Sequence, residues 1–218
     1  MNILIRNLSD QLVDIVRERV LSGSVPPTAA IKQDLLANEL GISKIPLREA
    51  LARLEQEGLL QSQANRGFFV RPLTRQEAQE VFDLRIRLEP DMMALGARNA
   101  DEAARQTAQN IHASLNQETD EHGAGVGKFN RKFHLALLEP SNRPLTVNIL
   151  KRLHILSERY VRKHLEPLGR DERANAEHQE MLEVWLARDE DGIRRLTKAH
   201  TRSTLSDLKQ QLEDTDKD

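Results

Sequence analysis

Three histidines and one asparagine carry the spacing that a metal ion needs. Asn130 and His134 stand four residues apart in a helical segment, so both project from one face, and Val126, Phe133 and Leu137 turn that face towards a core. His178 shares an apolar stripe with Ala174, Met181 and Trp185, and His200 shares one with Ile193 and Leu196. A turn near Asp189 lies about 11 residues from each of these two histidines, roughly 16 Å along either antiparallel helix, so the two imidazoles come level. Three core-facing imidazoles are costly to bury unless each nitrogen finds a partner, and one ion satisfies them together. The alternative is that each ring is hydrogen-bonded separately. Neutral imidazoles with an amide oxygen suit a divalent transition ion such as zinc or nickel, with water or a carboxylate completing the shell. His112, His122, His154 and His164 have no partner at a converging spacing and are assigned to the surface or to packing.

Arg85 adds a second chemistry. It falls on the stripe of Val81, Leu84, Leu88 and Met92, where a lone guanidinium would need an anion. One candidate is a bound anion. The other is Glu89, one helical turn on.

A third constellation lies nearer the start of the chain. Small Ala37 and turn-forming Gly41 are four apart, with Leu36, Leu40, Ile42, Leu47 and Ala50 around them, the requirements of a helix-turn-helix. Leu47, Ala50, Leu51 and Leu54 form a buried stripe, leaving Lys44 and Arg48 on the opposite face, which can enter a major groove. Ser43 caps this helix and, with the helix N-terminus, suits a phosphate. Beyond Gly58, the segments Leu59–Gln63 and Phe68–Val70 read as a β-hairpin whose turn carries Arg66 and Gly67, the wing of a winged motif. Lys32 and Pro46 complete the candidate interface.

The elements that position these groups follow from periodicity and breakers. A first helix runs from Leu8 to about Ser22, with Leu12, Ile15, Val16 and Arg19 on one face. A second spans about Ile31 to Leu40 and a third Lys44 to about Glu57, Pro46 being tolerated in its first turn. Arg71-Pro72-Leu73 marks a boundary, after which Thr74 and Glu77 form a capping box. Breaks near Asn99, His122-Gly123, Pro140-Ser141, Gly169-Arg170 and Arg188-Asp189 divide the remainder into six helices. The expected fold is mainly α. Residues 1–72 form a winged helix-turn-helix of three helices and a hairpin that binds DNA, and residues 73–218 form an all-α six-helix antiparallel bundle for effector binding and dimerisation.

Composition sets limits. There is no cysteine, which excludes disulfides, thiolate metal sites and cysteine nucleophiles. No signal peptide or membrane-length apolar run is visible, so a cytoplasmic protein is expected. Nine basic residues against eight acidic up to Pro72, and 23 against 26 after it, leave neither half basic, so local geometry must carry the DNA argument.

The run from Gly41 to Leu51, then Leu54-Glu55-Gln56-Glu57-Gly58-Leu59, then Arg66-Gly67 and Val70, resembles the GntR family of bacterial regulators over about residues 8–73. That resemblance implies that Arg48 reads bases while Ser43, Lys44, Ile45, Arg66 and Gly67 touch backbone or groove. Thr28 departs from it, standing where the family usually has glycine. Residues 74–212 resemble the FadR-like C-terminal domain, FCD, of the smaller VanR-like type with six helices. There Asn130-Arg131-Lys132-Phe133-His134, His178 and His200 match a motif of Asp or Asn, three residues, His and two later histidines, and Arg85 matches an arginine that faces the ligand, which implies a small organic-acid effector.

These readings point to a metabolite-responsive regulator that binds double-stranded operator DNA as a homodimer, with no membrane partner. A DNA-binding protein whose helical half only dimerises around a structural metal is the alternative. A metal-dependent hydrolase is a third class, disfavoured because no His-Glu-x-x-His motif supplies a base and because Glu177 and Glu180 are expected to face solvent.

Overall fold

The computed structural model describes residues 8–25, 30–121, 125–164 and 170–215. Pro26, Pro27, Thr28, His122, Gly123 and Gly169 lie outside them, as does the side chain of His164. Among the described residues there are nine α-helices and one two-stranded sheet. The chain divides into two compact units, residues 1–72 and 73–218.

In the first unit, α1 (Leu8–Leu21), α2 (Gln33–Glu39) and α3 (Lys44–Gln56) enclose a small aliphatic core. Leu47, Ala50, Leu51 and Leu54 are completely buried there, with Ala37 beside them. The inward face of α1 consists of Leu12, Val13, Val16 and Val20, whereas Ile15 is exposed. The sequence reading placed Leu12 and Val16 correctly but took Ile15 and Arg19 where Val13 and Val20 turn inward; Ile15 and Val13 are equally apolar, and only packing separates them. Gly41 adopts φ +65°, the left-handed turn that hinges α2 against α3.

Ser43 stands at the N-cap of α3 in extended conformation, but its hydroxyl makes no capping bond, contrary to expectation. Strands β1 (Leu60–Gln63) and β2 (Gly67–Val70) pair antiparallel in the register Leu60 to Val70. Asn65 at φ 61° and Gly67 at φ 91° turn the hairpin. Ile31 N–H donates to Phe68 O at 2.8 Å, which ties the approach to α2 to the wing.

The second unit holds α4 (Arg75–Asn99), α5 (Glu102–Asp120), α6 (Val126–Leu138), α7 (Pro144–His164), α8 (Arg170–Leu186) and α9 (Glu190–Thr215), with a 3-10 turn at Glu139–Ser141. Thr74 caps α4 by accepting from Glu77 N–H at 3.1 Å. Thr74 N–H and the Glu77 carboxylate also both meet the Tyr160 hydroxyl, at 3.2 and 2.7 Å, which pins the start of α4 to α7. The core runs through Met93, Ala97, Leu115, Phe133, Leu137, Leu150, Met181, Trp185 and Ile193. Gly96 lets α4 pass against the Leu137 carbonyl of α6, where any Cβ would collide. The α8–α9 corner is made by Arg188 at φ 60° and by Asp189, whose carboxylate accepts from Gly192 N–H at 2.8 Å.

Candidate functional site

The second unit contains a cavity at whose wall α4, α6, α7, α8 and α9 all contribute side chains. Its lining includes Arg85, Asn130, His134, His154, His178 and His200. The two helices that leave the Asp189 corner bring the His178 and His200 rings to 4.7 Å between centroids, and α6 sets His134 at 5.0 and 5.3 Å from them. One nitrogen from each ring lies within 4.8 Å of the others, and all three residues are buried. Asn130 faces the same cavity from one turn before His134.

The hydrogen bonding of this cluster is incomplete. Among the described residues, neither ring nitrogen of His134 or of His178 has a hydrogen-bond partner, and the Asn130 Oδ1 has none. His134 Nδ1 stands 3.5 Å from Glu89 Oε1, an electrostatic contact that is too long to satisfy it. Complete burial pushes the His134 imidazole down to about 3, against the pull of Glu89, and holds His178 well below its ordinary value with help from neighbouring His200 and His134. Both are therefore neutral near pH 7, the form that offers a lone pair to a metal. Orphaned neutral nitrogens converging with an orphaned amide oxygen fit a divalent transition ion.

His200 differs from the other two because its Nδ1 lies 2.5 Å from Glu177 Oε2, leaving Nε2 as its donor atom. The expectation that Glu177 faces solvent is thus corrected. It bridges His200 to Arg170, and those contacts hold its carboxyl below the usual range although burial opposes this. The residue preceding an inward histidine points sideways, towards the next helix, and that was the available sequence signal.

Glu89 was read from the sequence only as a possible partner of Arg85, and His154 escaped the reading as a site residue. Glu89 is wholly buried; Arg85 and the adjacent histidines hold it well below the carboxylate range despite the cost of burial. His154, assigned to surface or packing, is instead a buried wall residue whose Nε2 lies 2.7 Å from Glu89 Oε1, with its ring 5.0 Å from that of His134. Glu89, His134 and His154 form a second cluster of metal-ligand type. His112 is buried against Phe133 at 5.2 Å.

The premise that Arg85 is an uncompensated cation also fails. Its Nε donates to Glu89 at 2.8 Å, Nη2 to the same carboxylate at 3.4 Å and Nη1 to Ser157 at 3.0 Å, so each nitrogen has an acceptor. Leu84, expected on the same stripe, is exposed.

In the first unit, Lys44, Ile45 and Arg48 of α3 and Gly67 of the wing border one concavity, together with Gln33 and Asn65. Lys32, Ser43, Lys44, Ile45, Arg48 and Arg66 are exposed, while Pro46 and Gly67 are half-buried. Lys44 pairs with Asp34, but both are well exposed, and a pair of this kind is weak enough for a phosphate to displace. Arg66 lies over the Phe69 ring at 5.4 Å, so the wing cation is braced from below.

Comparison with known proteins agrees with this architecture. The FCD domain family matches residues 80–203, and the family described as bacterial regulatory proteins, gntR family, matches residues 8–70. The HTH-type transcriptional regulator YdhC of Bacillus subtilis is 26% identical over 215 residues, covering 94% of this chain and 92% of its own. The HTH-type transcriptional regulator McbR of Escherichia coli is 26% identical over 193 residues, 86% of each chain. The solved structure of E. coli McbR/YncC superposes with a TM-score of 0.82 at 24% identity, over 95% of this chain and all of that one, and shows the same fold. No helix of the described residues is long and apolar enough to cross a membrane. The chain thus belongs to the GntR family of bacterial regulators, with an FCD domain after its helix-turn-helix; it is a transcription regulator and not an enzyme, with DNA binding implied by that membership.

Proposed function

We propose that this chain is a metabolite-responsive regulator that binds operator DNA as a homodimer in the cytoplasm, and that its helical domain holds a divalent transition ion and a small organic acid. Residues 1–72 carry the DNA contacts. Arg48 donates to the O6 and N7 edge of a guanine, flanked by Lys44, Ile45 and Pro46. Ser43, the start of α3, Lys32 and the wing residues Arg66 and Gly67 take backbone or groove.

Residues 73–218 carry the sensor and the dimer contact. Asn130, His134, His178 and His200 hold zinc or nickel, and an effector carboxylate completes the coordination shell. Arg85, paired with Glu89, contributes to the effector wall through its field. Effector binding shifts the spacing of the two DNA-binding domains in the dimer, which requires unequal affinity for the two arrangements.

The observation that carries this reading is the convergence of buried, unpartnered His134, His178 and Asn130 atoms on one cavity beside His200. Its test is to measure bound metal in the purified protein, then titrate small organic acids against operator binding with and without the metal. The reading expects about one ion per chain and an acid-dependent change in affinity. Metal retained without any response to acids would support a purely structural ion, and His134→Ala with unchanged metal content would remove the site altogether.

A further inference from the structure

Three guanidinium groups line the cavity: Arg85, Arg131 and Arg170. Arg85 has spent its donors on Glu89 and Ser157, and Arg131 is engaged with Glu158. Arg170, the first residue of α8, is different. Its side chain is only 6% exposed. Nε donates to Asp207 at 2.7 Å, and Nη2 makes long contacts of 3.3 to 3.5 Å with Glu177 and Thr204. Nη1 is buried and has no hydrogen-bond partner among the described residues.

A charged donor left without an acceptor inside a protein is expensive, and a planar guanidinium is suited to grip a carboxylate at the same time as its existing partners. The cavity around it adds a second kind of unfilled valence. The Oδ1 atom of Asn175, which the ion does not use, is buried there without a donor among the described residues. A ligand that offers both an anionic acceptor and a hydroxyl donor answers both deficits. The cavity is small, with room for a few water-sized atoms, which favours a short ligand.

We propose that Arg170, rather than Arg85, anchors the effector, with the carboxylate of a short organic acid sitting on Arg170 Nη1. This deepens the proposed function and rests on it. The assignment also supplies a route between effector and ion. Glu177 meets both Arg170 and His200 through one carboxylate, so an acid on Arg170 Nη1 shares its guanidinium with the residue that orients a metal ligand.

The test is calorimetric titration of the zinc-loaded full chain with acetate, L-lactate, malonate and succinate, each paired with its neutral amide. The wild type is expected to bind at least one acid and to reject the matching amide. Arg170→Gln is expected to weaken that acid at least tenfold and to erase the preference for acid over amide at equal zinc content. Should Arg170→Gln not fold, Arg170→Lys is the second variant; it keeps the charge without the planar fork and is expected to retain the preference while losing about tenfold in affinity. Wild-type affinity in the variant that folds overturns the Arg170 assignment and leaves the regulator reading standing. Failure of every acid to bind the wild type overturns the effector class, and this assignment with it.

Discussion

His200 is bound through Nδ1 to Glu177 at 2.5 Å while its ring stands 4.7 Å from that of His178. A carboxylate behind one of three converging imidazoles fixes which nitrogen faces the cavity and makes that nitrogen a better base. Glu177→Gln is therefore expected to lower zinc affinity about 10- to 100-fold without unfolding the domain. Competition with a chromophoric chelator measures it, and an unchanged affinity would show that Glu177 serves only Arg170.

The metal-free protein should lose stability in mild acid. The folded value of His134, about 3, and that of His178, also depressed, lie below the unfolded value near 6.5. Between those limits the unfolded chain binds more protons, so stability rises with pH; the contribution is fully present above about 6.5 and is lost as pH falls towards 3. Melting temperatures of chelator-treated protein between pH 7.5 and 5.0 should fall, and His134→Leu should flatten the slope.

Arg85 and Glu89 should behave as a pair. Removing either, as in Arg85→Met or Glu89→Leu, strands the other charge in the core and is expected to cost about 3–5 kcal/mol. The double variant should cost clearly less than the two singles together, because no charge is left alone. Urea unfolding of the four proteins gives the coupling directly; additive losses would contradict the pairing.

Gly96→Ala places a methyl group against the Leu137 backbone. Since a carbonyl cannot rotate away as a side-chain end can, a loss of about 1–3 kcal/mol is expected. The strain falls where α4 meets α6, the helix that carries Asn130 and His134, so zinc affinity should fall with the melting temperature.

In the DNA-binding unit, Arg48→Ala should cost about 1–3 kcal/mol of operator affinity and relax selectivity at one base pair. Arg66→Ala should weaken all sequences alike and lower the salt slope by about one. Anisotropy titrations on an operator and a scrambled duplex separate the two outcomes.

Much of this was legible in the residues. The stripe of Leu47, Ala50, Leu51 and Leu54 needs only helical periodicity to place it inside, and Gly41 announces its turn. Equal distances from the Asp189 corner are enough to bring His178 and His200 level. What stayed hidden depends on how helices rotate and slide against one another. Glu89 meets His154 across 65 positions, and Glu177 meets His200 across 23, contacts that no single helix pattern encodes. Arg85 had two possible partners in the sequence, and only the rotamer chosen in the core selects Glu89. Ile15 and Val13 differ by where α1 leans on α3, a matter of a fraction of a turn.

Ser43 begins α3 with its hydroxyl unemployed. Aspartate there would be the stronger helix starter through its charge at the helix N-terminus, raising the melting point of residues 1–72, yet it would set a negative charge at the proposed phosphate contact. The same atom is thus pulled two ways by thermal robustness and by affinity for a polyanion. Ser43→Asp should move them in opposite directions, giving a sturdier reader that lets go of its text.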